Sequence, residues 1–187
     1  DPQNKTTMTR RIKIDVIDSY NLDNRIIDFF KSYDFELLEK KDDIIKFRQA
    51  SSLLDAWKTN PLKWGSEISI LLSDKTIEAD FIVDTDAQMN TKEEKKVWQT
   101  FVETFRNFLV SGETGNSKLT STISESRKSR LNYFGWAILG ALTGGLLSFI
   151  YTKLTDNNSL FNLIIIPVMT TVFLSWRIKY GKTKNAI

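Results

Sequence analysis

The sequence predicts an α+β fold: an antiparallel sheet of about five strands with two helices on one face, followed by a C-terminal transmembrane helical hairpin. Three observations predict it. Several short segments alternate apolar and polar residues, two longer segments repeat apolar residues every three or four positions, and two uncharged stretches lie near the C-terminus. Taken in chain order, the soluble elements are β-α-β-β-β-β-α.

The first two elements are a strand and an amphipathic helix. Residues 1–8 are interpreted as an N-terminal extension, and residues 9–112 as a cytosolic α+β domain. The alternation in RRIKIDVI places its isoleucines on one face of a half-buried strand. The apolar residues of NLDNRIIDFFKSY fall on one helical face instead, and Asn21 or Asp18 is expected to cap this helix.

Two hairpins are predicted in the middle of the domain. FELLEKKDDIIKFRQ is typical of two short strands around a Lys-Asp-Asp turn. In SEISILLSDKTIEADFIVDTD, Ile68 and Ile70 alternate towards the core, residues 73–76 form the turn, and Phe81 and Val83 return on the same face.

The second helix of the domain has the clearest signals at both ends. NTKEEKKVWQTFVETFRNFLVSGE contains Thr91 and Glu94 at the spacing of a capping box. A broad apolar stripe follows, which is typical of a helix that packs on a core. Gly112 then indicates the C-terminus of the helix.

The C-terminal third is predicted to enter a membrane. Residues 113–130 are interpreted as a polar linker with a basic juxtamembrane cluster, and the spans as residues 131–151 and 160–178 of a hairpin. Both uncharged stretches are long enough to cross a bilayer core as helices, and Pro167 is expected to kink the second. Residues 179–187 form a basic cytosolic tail. The alternative is a pair of core helices in a soluble protein.

Charge is divided unevenly along the chain. Residues 1–125 carry 18 Lys and Arg against 22 Asp and Glu, whereas residues 126–187 carry 8 against one. The acidic domain argues against nucleic acid as a partner. Cations flank the two spans on one side, so both termini are expected in the cytoplasm. With no leader recognised at the start, we expect an integral protein of a bacterial inner (plasma) membrane.

The residue types that the chain lacks exclude many classes of enzyme mechanism. The chain has no Cys and no His, which removes disulfides, thiolates and the commonest general base and metal ligand. We therefore expect no enzyme activity, no cofactor and no metal. Asp80, Asp84 and Asp86 could ligate Mg²⁺ or Ca²⁺, but they are interpreted as solvated charges on a strand.

The best candidate binding surface is the connection ASSLLDAWKTNPLKWGS, which is unusually apolar. Its tryptophans could stack on a small or anionic ligand, dock a partner, or rest among lipid headgroups. Alternatively, they cover the open end of the core. The candidate ligand- or partner-binding residues are Arg48, Trp57, Lys58, Lys63 and Trp64.

Two features of the membrane region suggest partners. Small residues share one face of the first span, which allows close packing on the second span, on another protomer or on another membrane subunit. They are Ala137, Gly140, Ala141, Gly144 and Ser148. A basic cluster ahead of the span could bind lipid headgroups or only fix the topology. Its members are Arg127, Lys128 and Arg130.

Three functions are compatible with these patterns. The first is a non-enzymatic membrane-anchored domain that acts by protein association, as a homo-oligomer or as a small subunit of a membrane complex. The second is a sensor whose cytosolic domain binds a small or anionic ligand and whose hairpins rearrange to perturb the membrane. The third is an enzyme that uses carboxylates or lysine.

Overall fold

A computed structural model of the chain describes residues 7–15, 21–50, 58–73, 75–85, 91–112, 116–155 and 160–181, with side chains of the last helix at 164–176. The chain divides into two compact units, Asp1–Arg127 and Lys128–Ile187.

Five strands form one antiparallel sheet in the first unit, which confirms the predicted α+β class and the number of strands. The strands are β1 (Thr7–Asp15), β2 (Glu36–Lys41), β3 (Ile44–Gln49), β4 (Ser66–Leu72) and β5 (Thr76–Asp84). Their spatial order is β1-β5-β4-β3-β2, so β1 and β2 are the two edges. The predicted hairpin turns join β2 to β3 and β4 to β5, while a helix crosses from one edge to the other.

Two helices cover one face of the sheet and enclose an aromatic core. They are α1 (Leu22–Ser32) and α2 (Lys92–Ser111). The ring centroid of Phe30 in α1 lies 4.5 Å from that of Phe47 in β3 and 5.0 Å from that of Phe105 in α2. Phe81 of β5 is also in contact with this group. The other face of the sheet is open to solvent.

α2 begins and ends with the capping residues that the sequence predicts. α1 lacks the predicted side-chain cap at its N-terminus. Thr91 accepts a hydrogen bond from the backbone of Glu94 at 3.3 Å, and its own N–H donates to Glu94 Oε2 at 2.7 Å. Gly112 then adopts a φ of 72°. Asn21 precedes α1 with a φ of 51°, but its side chain caps no helix N–H. Asp18 lies outside the described residues.

The domain begins two residues earlier than expected. Thr7 pairs with Asp84 and Met8 with Val83, so both belong to β1 rather than to an extension ending at residue 8. Met8 also packs against the core. Thr7 and Met8 precede the alternating apolar run, which is why the pattern placed the boundary after them.

A third helix, α3 (Asn116–Thr155), replaces most of the predicted polar linker over 113–130. Its first turns bury Leu119, Thr122 and Ser126. Ion pairs of 3.1 Å join α3 to α2, from Glu125 to Lys96 and from Lys118 to Glu103. These pairs show that the first turns of α3 run antiparallel to α2. Two of these three residues are hydroxylated, so the first turns lack the apolar period that predicts a packed helix.

The second unit consists of the rest of α3 and of α4 (Leu160–Gly181). α3 extends beyond both ends of the predicted first span, 131–151. α4 stays helical through Pro167, whose carbonyl oxygen accepts a hydrogen bond from Thr171 Oγ1 at 2.8 Å. The threonine hydroxyl thus bonds a carbonyl within the same helix, a common pattern for threonine at this spacing.

Candidate functional site

A cavity of about 410 Å³ opens at one end of the sheet. Its wall is built from residues 48–50 at the end of β3, 65–67 at the start of β4, Ile82 and Asp84 on β5, and Thr7 on β1. Strand pairing brings these together, because Arg48 lies opposite Glu67 and Glu67 lies opposite Ile82. Of the predicted binding residues, Arg48 lies in the described cavity wall.

Arg48 and Glu67 place opposite charges on neighbouring strands of this wall. Arg48 is exposed and is paired in register with Glu67 on β4 and with Glu36 on β2. Among the described residues, Arg48 nevertheless forms no ion pair. The guanidinium and the Glu67 carboxylate are therefore available as separate binding groups.

Gln49 also belongs to this wall, but its side-chain oxygen does not face the cavity. Its Oε1 is shielded from solvent and accepts no hydrogen bond from the described residues. The neighbouring hydroxyl of Ser66 donates to the carbonyl oxygen of Trp64 at 3.2 Å. The charged groups that a ligand in the cavity can reach are therefore those of the open face of the sheet.

Lys58, Lys63 and Trp64 are not among the residues of the described cavity wall. Trp64 is 1% exposed, and its Nε1 donates to the carbonyl oxygen of Lys58 at 3.3 Å. The ammonium group of Lys58 donates to the carbonyl oxygen of Lys63 at 2.9 Å, and Lys63 pairs with Asp34. Trp64 is therefore a core residue, which was the alternative interpretation of this connection. Trp57 lies outside the described residues.

Ion pairs occupy carboxylates on the open face of the sheet. Arg11 binds both oxygens of Asp80, at 2.5 and 2.8 Å, and Lys13 binds Glu78 at 2.7 Å. In the part of the chain that the structure describes, no group of three or more acidic residues could hold a metal ion. Asp86 lies outside that part, and Asp84 lines the cavity.

Glu39 on β2 is the most strongly perturbed of these groups. Hydrogen bonds from Lys41 and from Lys46 favour the charged carboxylate, and they lower its pKa from 4.5 to about 2. The Lys46 bond is 2.7 Å long. Glu39 is thus ionised at any physiological pH.

The small-residue face of α3 lies against α4. A Cβ added to Gly140 would lie 2.7 Å from the Cα of Thr170, and one added to Gly144 would lie 2.7 Å from the Cα of Ile166. The two backbones therefore approach too closely for any side chain at either glycine. The remaining small residues, all partly buried, are Ala137, Ala141 and Ser148. The first partner of this face is thus the second helix of the same chain.

A groove of about 440 Å³ runs along another side of α4. Its described wall belongs to α4 alone and consists of small or β-branched side chains and a proline. They are Pro167, Val168, Thr171, Val172 and Ser175. Because the Thr171 hydroxyl bonds its own helix, the groove is largely apolar.

Both helices of the second unit expose large apolar side chains. Leu142 of α3 is 67% exposed and Val172 of α4 is 53% exposed, with many similar residues along both helices. By length and composition, α3 is a candidate membrane-spanning helix. The described apolar stretch of α4, Ile164–Trp176, is shorter. These helices weakly suggest that the chain associates with a membrane.

The basic cluster is only partly exposed. Arg127 and Lys128 are at the surface, whereas Arg130 is 3% exposed. Arg130 follows Thr122 and Ser126 at intervals of four residues, which places it on the buried side of the helix. Arg127 and Lys128 are thus the exposed members of the cluster, and binding of lipid headgroups stays a prediction.

Comparison with protein-family models, with curated proteins and with solved structures found no match to this chain.

Proposed function

We propose that this chain is a non-enzymatic, membrane-anchored α+β domain that acts by protein association, as a homo-oligomer or as a small subunit of a membrane complex. One observation carries the proposal: the apolar side chains that α3 and α4 expose along their lengths. Soluble monomers rarely expose such continuous apolar surface. Lipid would cover it, and the helical hairpin would then be an anchor.

The ends of the hairpin support a cytoplasmic location for both termini. Arg127 and Lys128 precede the first apolar stretch and four more cations follow the second, whereas the sequence between the two stretches carries one Lys and one Asp. The rings of Trp136 and Trp176 lie 5.7 Å apart at the basic end. Tryptophans and cations at one end of a span are typical of the cytoplasmic interface.

The sheet edges are unfavourable sites for association. Arg10 on β1 lies opposite Phe81, so it shares the face that the helices cover. Lys40 occupies the same face on β2, where a register shift also interrupts pairing between Leu37 and Glu39. Inward-facing charges and bulges oppose edge-to-edge pairing. We therefore place the contact between protomers on the groove of α4, which allows close approach of another helix.

Single cysteines test this contact directly, since the chain has none of its own. Thr171→Cys in the full chain, oxidised in native membranes, is expected to form a disulfide-linked dimer on a non-reducing gel. Leu142→Cys is the matched control, because it is exposed on α3 and away from the groove. It should cross-link far less.

The result also separates the two forms of association. A dimer through Thr171→Cys supports the homo-oligomer, and a second protein that co-purifies in stoichiometric amount supports the subunit. A monomer in detergent that neither cross-links nor retains a partner would contradict the proposal.

The cavity at Arg48 favours a second candidate function, a ligand-sensing membrane effector. In this role a small ligand binds the α+β domain, and the hairpins rearrange to perturb the membrane. Vesicles that contain the full chain and an entrapped dye should then release the dye when the ligand is added, and Arg48→Gln should abolish the release. If the ligand binds the protein and the vesicles still retain the dye, the result would contradict the sensing function.

A further inference from the structure

The cavity at the end of the sheet has the size and the lining of a small-molecule site. Its volume of about 410 Å³ falls in the lower part of the range of about 300–1,000 Å³ that is usual for ligand sites. Arg48 supplies one cation, and Glu67 and Asp84 supply two carboxylates. Ile82, which is 42% exposed, supplies apolar surface.

The charges of the cavity wall indicate which class of ligand can bind there. Two carboxylates in the wall, with Glu36 on the other side of Arg48, would repel a polyanion such as a nucleotide. The guanidinium of Arg48 would equally repel a ligand that is only cationic. A ligand that carries one positive and one negative group satisfies both sides of the wall.

The short distance between Arg48 and Glu67 restricts the class of ligand further. Arg48 and Glu67 are directly opposite on neighbouring strands, where Cβ atoms lie about 5 Å apart. An ammonium group and a carboxylate on the same carbon atom are close enough to reach both.

We propose that this cavity binds a small zwitterion of the α-amino acid class, with its carboxylate on Arg48 and its ammonium group on Glu67. Ile82 then faces the ligand side chain, which favours amino acids with apolar side chains. The proposal deepens the second candidate function, ligand sensing, and the association function does not depend on it.

Binding is measured on the purified full chain in detergent, by calorimetry and by chemical shifts of backbone amides. Each standard L-amino acid is added singly. We expect at least one to bind with Kd below about 1 mM and to shift the amides of Arg48, Glu67 and Ile82. For the tightest of them, the analogue without the amino group and the amine without the carboxylate are each expected to bind at least tenfold more weakly.

Variants assign the charged groups. Arg48→Gln and Glu67→Gln are each expected to weaken binding at least tenfold. Arg48→Lys keeps the charge but loses the planar fork of donors, so it should restore part of the affinity. Lys13→Gln is the control, because Lys13 pairs with Glu78 on the same face of the sheet but outside the described cavity wall. Circular dichroism checks that each variant is folded, and if Arg48→Gln is not, Arg48→Lys and Glu67→Gln decide.

Two results would overturn the proposal: no amino acid binds below about 1 mM, or the analogue without the amino group binds as tightly as the amino acid. The second would make the cavity a simple anion site. Binding without dye release from vesicles would uphold the zwitterion site and contradict the sensing function alone, so the two failures are distinguishable.

Discussion

Single side chains on the open face of the sheet are ordered by cross-strand pairs. Arg11 with Asp80 and Lys13 with Glu78 each join β1 to β5, and their atoms are largely exposed. Exposed pairs of this kind add little to stability, because water and salt screen the two charges. Arg48 and its neighbour Glu67 depart from the pattern, since they are opposite in charge and in register but do not form an ion pair.

The lowered pKa of Glu39 predicts how the stability of the fold changes with pH. Its pKa of about 2 lies below the value of 4.5 for the free side chain, so the stability it adds is fully present above pH 4.5. That stability is lost as the pH falls towards 2. In the variant with Lys41→Met and Lys46→Met, an NMR titration of the Glu39 carboxyl is expected to return its midpoint towards 4.5.

Lys40→Met is the control on the same strand. Lys40 donates to Asp23 at 2.5 Å and is the main cause of the lowered pKa of that carboxyl. Its loss should therefore raise the pKa of Asp23 and leave the midpoint of Glu39 unchanged. A Glu39 midpoint near 4.5 in the unmodified chain would refute the assignment.

The candidate site was partly predictable at this level of detail. Arg48 was a candidate because it lies on the strand that enters the apolar connection, and the sequence predicted that strand. The direction of Trp64 was not predictable, since it follows an irregular connection where no period applies. Gln49 was missed as an unpaired acceptor because hydrogen bonding depends on neighbours from other strands.

An element was predicted well where the residues that determine it are close together in the sequence. The capping box of α2 involves residues three positions apart, so the sequence contains all of its geometry. The first turns of α3 are different, because Thr122 and Ser126 are buried only through tertiary contact. A helix held by small hydroxylated residues and by two ion pairs gives no apolar period, and it was interpreted as a linker.

The glycines of α3 provide a matched test of helix packing. Gly144→Ala places a methyl group 2.7 Å from the backbone of α4, whereas Gly145→Ala meets no atom within 4 Å. We expect Gly144→Ala to lower the free energy of unfolding by about 1–3 kcal/mol. Gly145→Ala should leave it unchanged or raise it by up to about 1 kcal/mol, since alanine favours a helix.

Unfolding of the full chain by SDS in mixed micelles, followed by tryptophan fluorescence, measures both variants. Gly140→Ala and Gly135→Ala form a second pair with the same contrast, because only Gly140 contacts the backbone of α4. Equal effects of the two substitutions within a pair would show that the close approach of the helices is not what stabilises the hairpin.

The whole chain combines an acidic domain with a basic, apolar C-terminal region. This division predicts its topology in a cell. With a membrane-impermeant maleimide added to intact spheroplasts, Asn157→Cys, which lies between α3 and α4 in the sequence, is expected to be labelled. Ser117→Cys near the start of α3 should be labelled only after the membrane is permeabilised.

The pair of variants reports on both sides of the membrane in one experiment. Ser117 is exposed on the first unit, so its protection would come from the membrane and not from burial. Labelling of both cysteines without permeabilisation would show that the domain is outside. Protection of both in spheroplasts would contradict a hairpin that spans the bilayer.

The order of strands in the sheet has a consequence for synthesis of the chain. β1 pairs with β5, so the first strand made waits for the last one, while β2 to β5 can form as successive hairpins. Such distant pairing is slow. At about 5–20 residues per second, translation from Asp84 to the first apolar residue of the hairpin, Leu131, takes several seconds. The ribosome thus gives the domain time to close its sheet before an apolar helix emerges that could compete for its core.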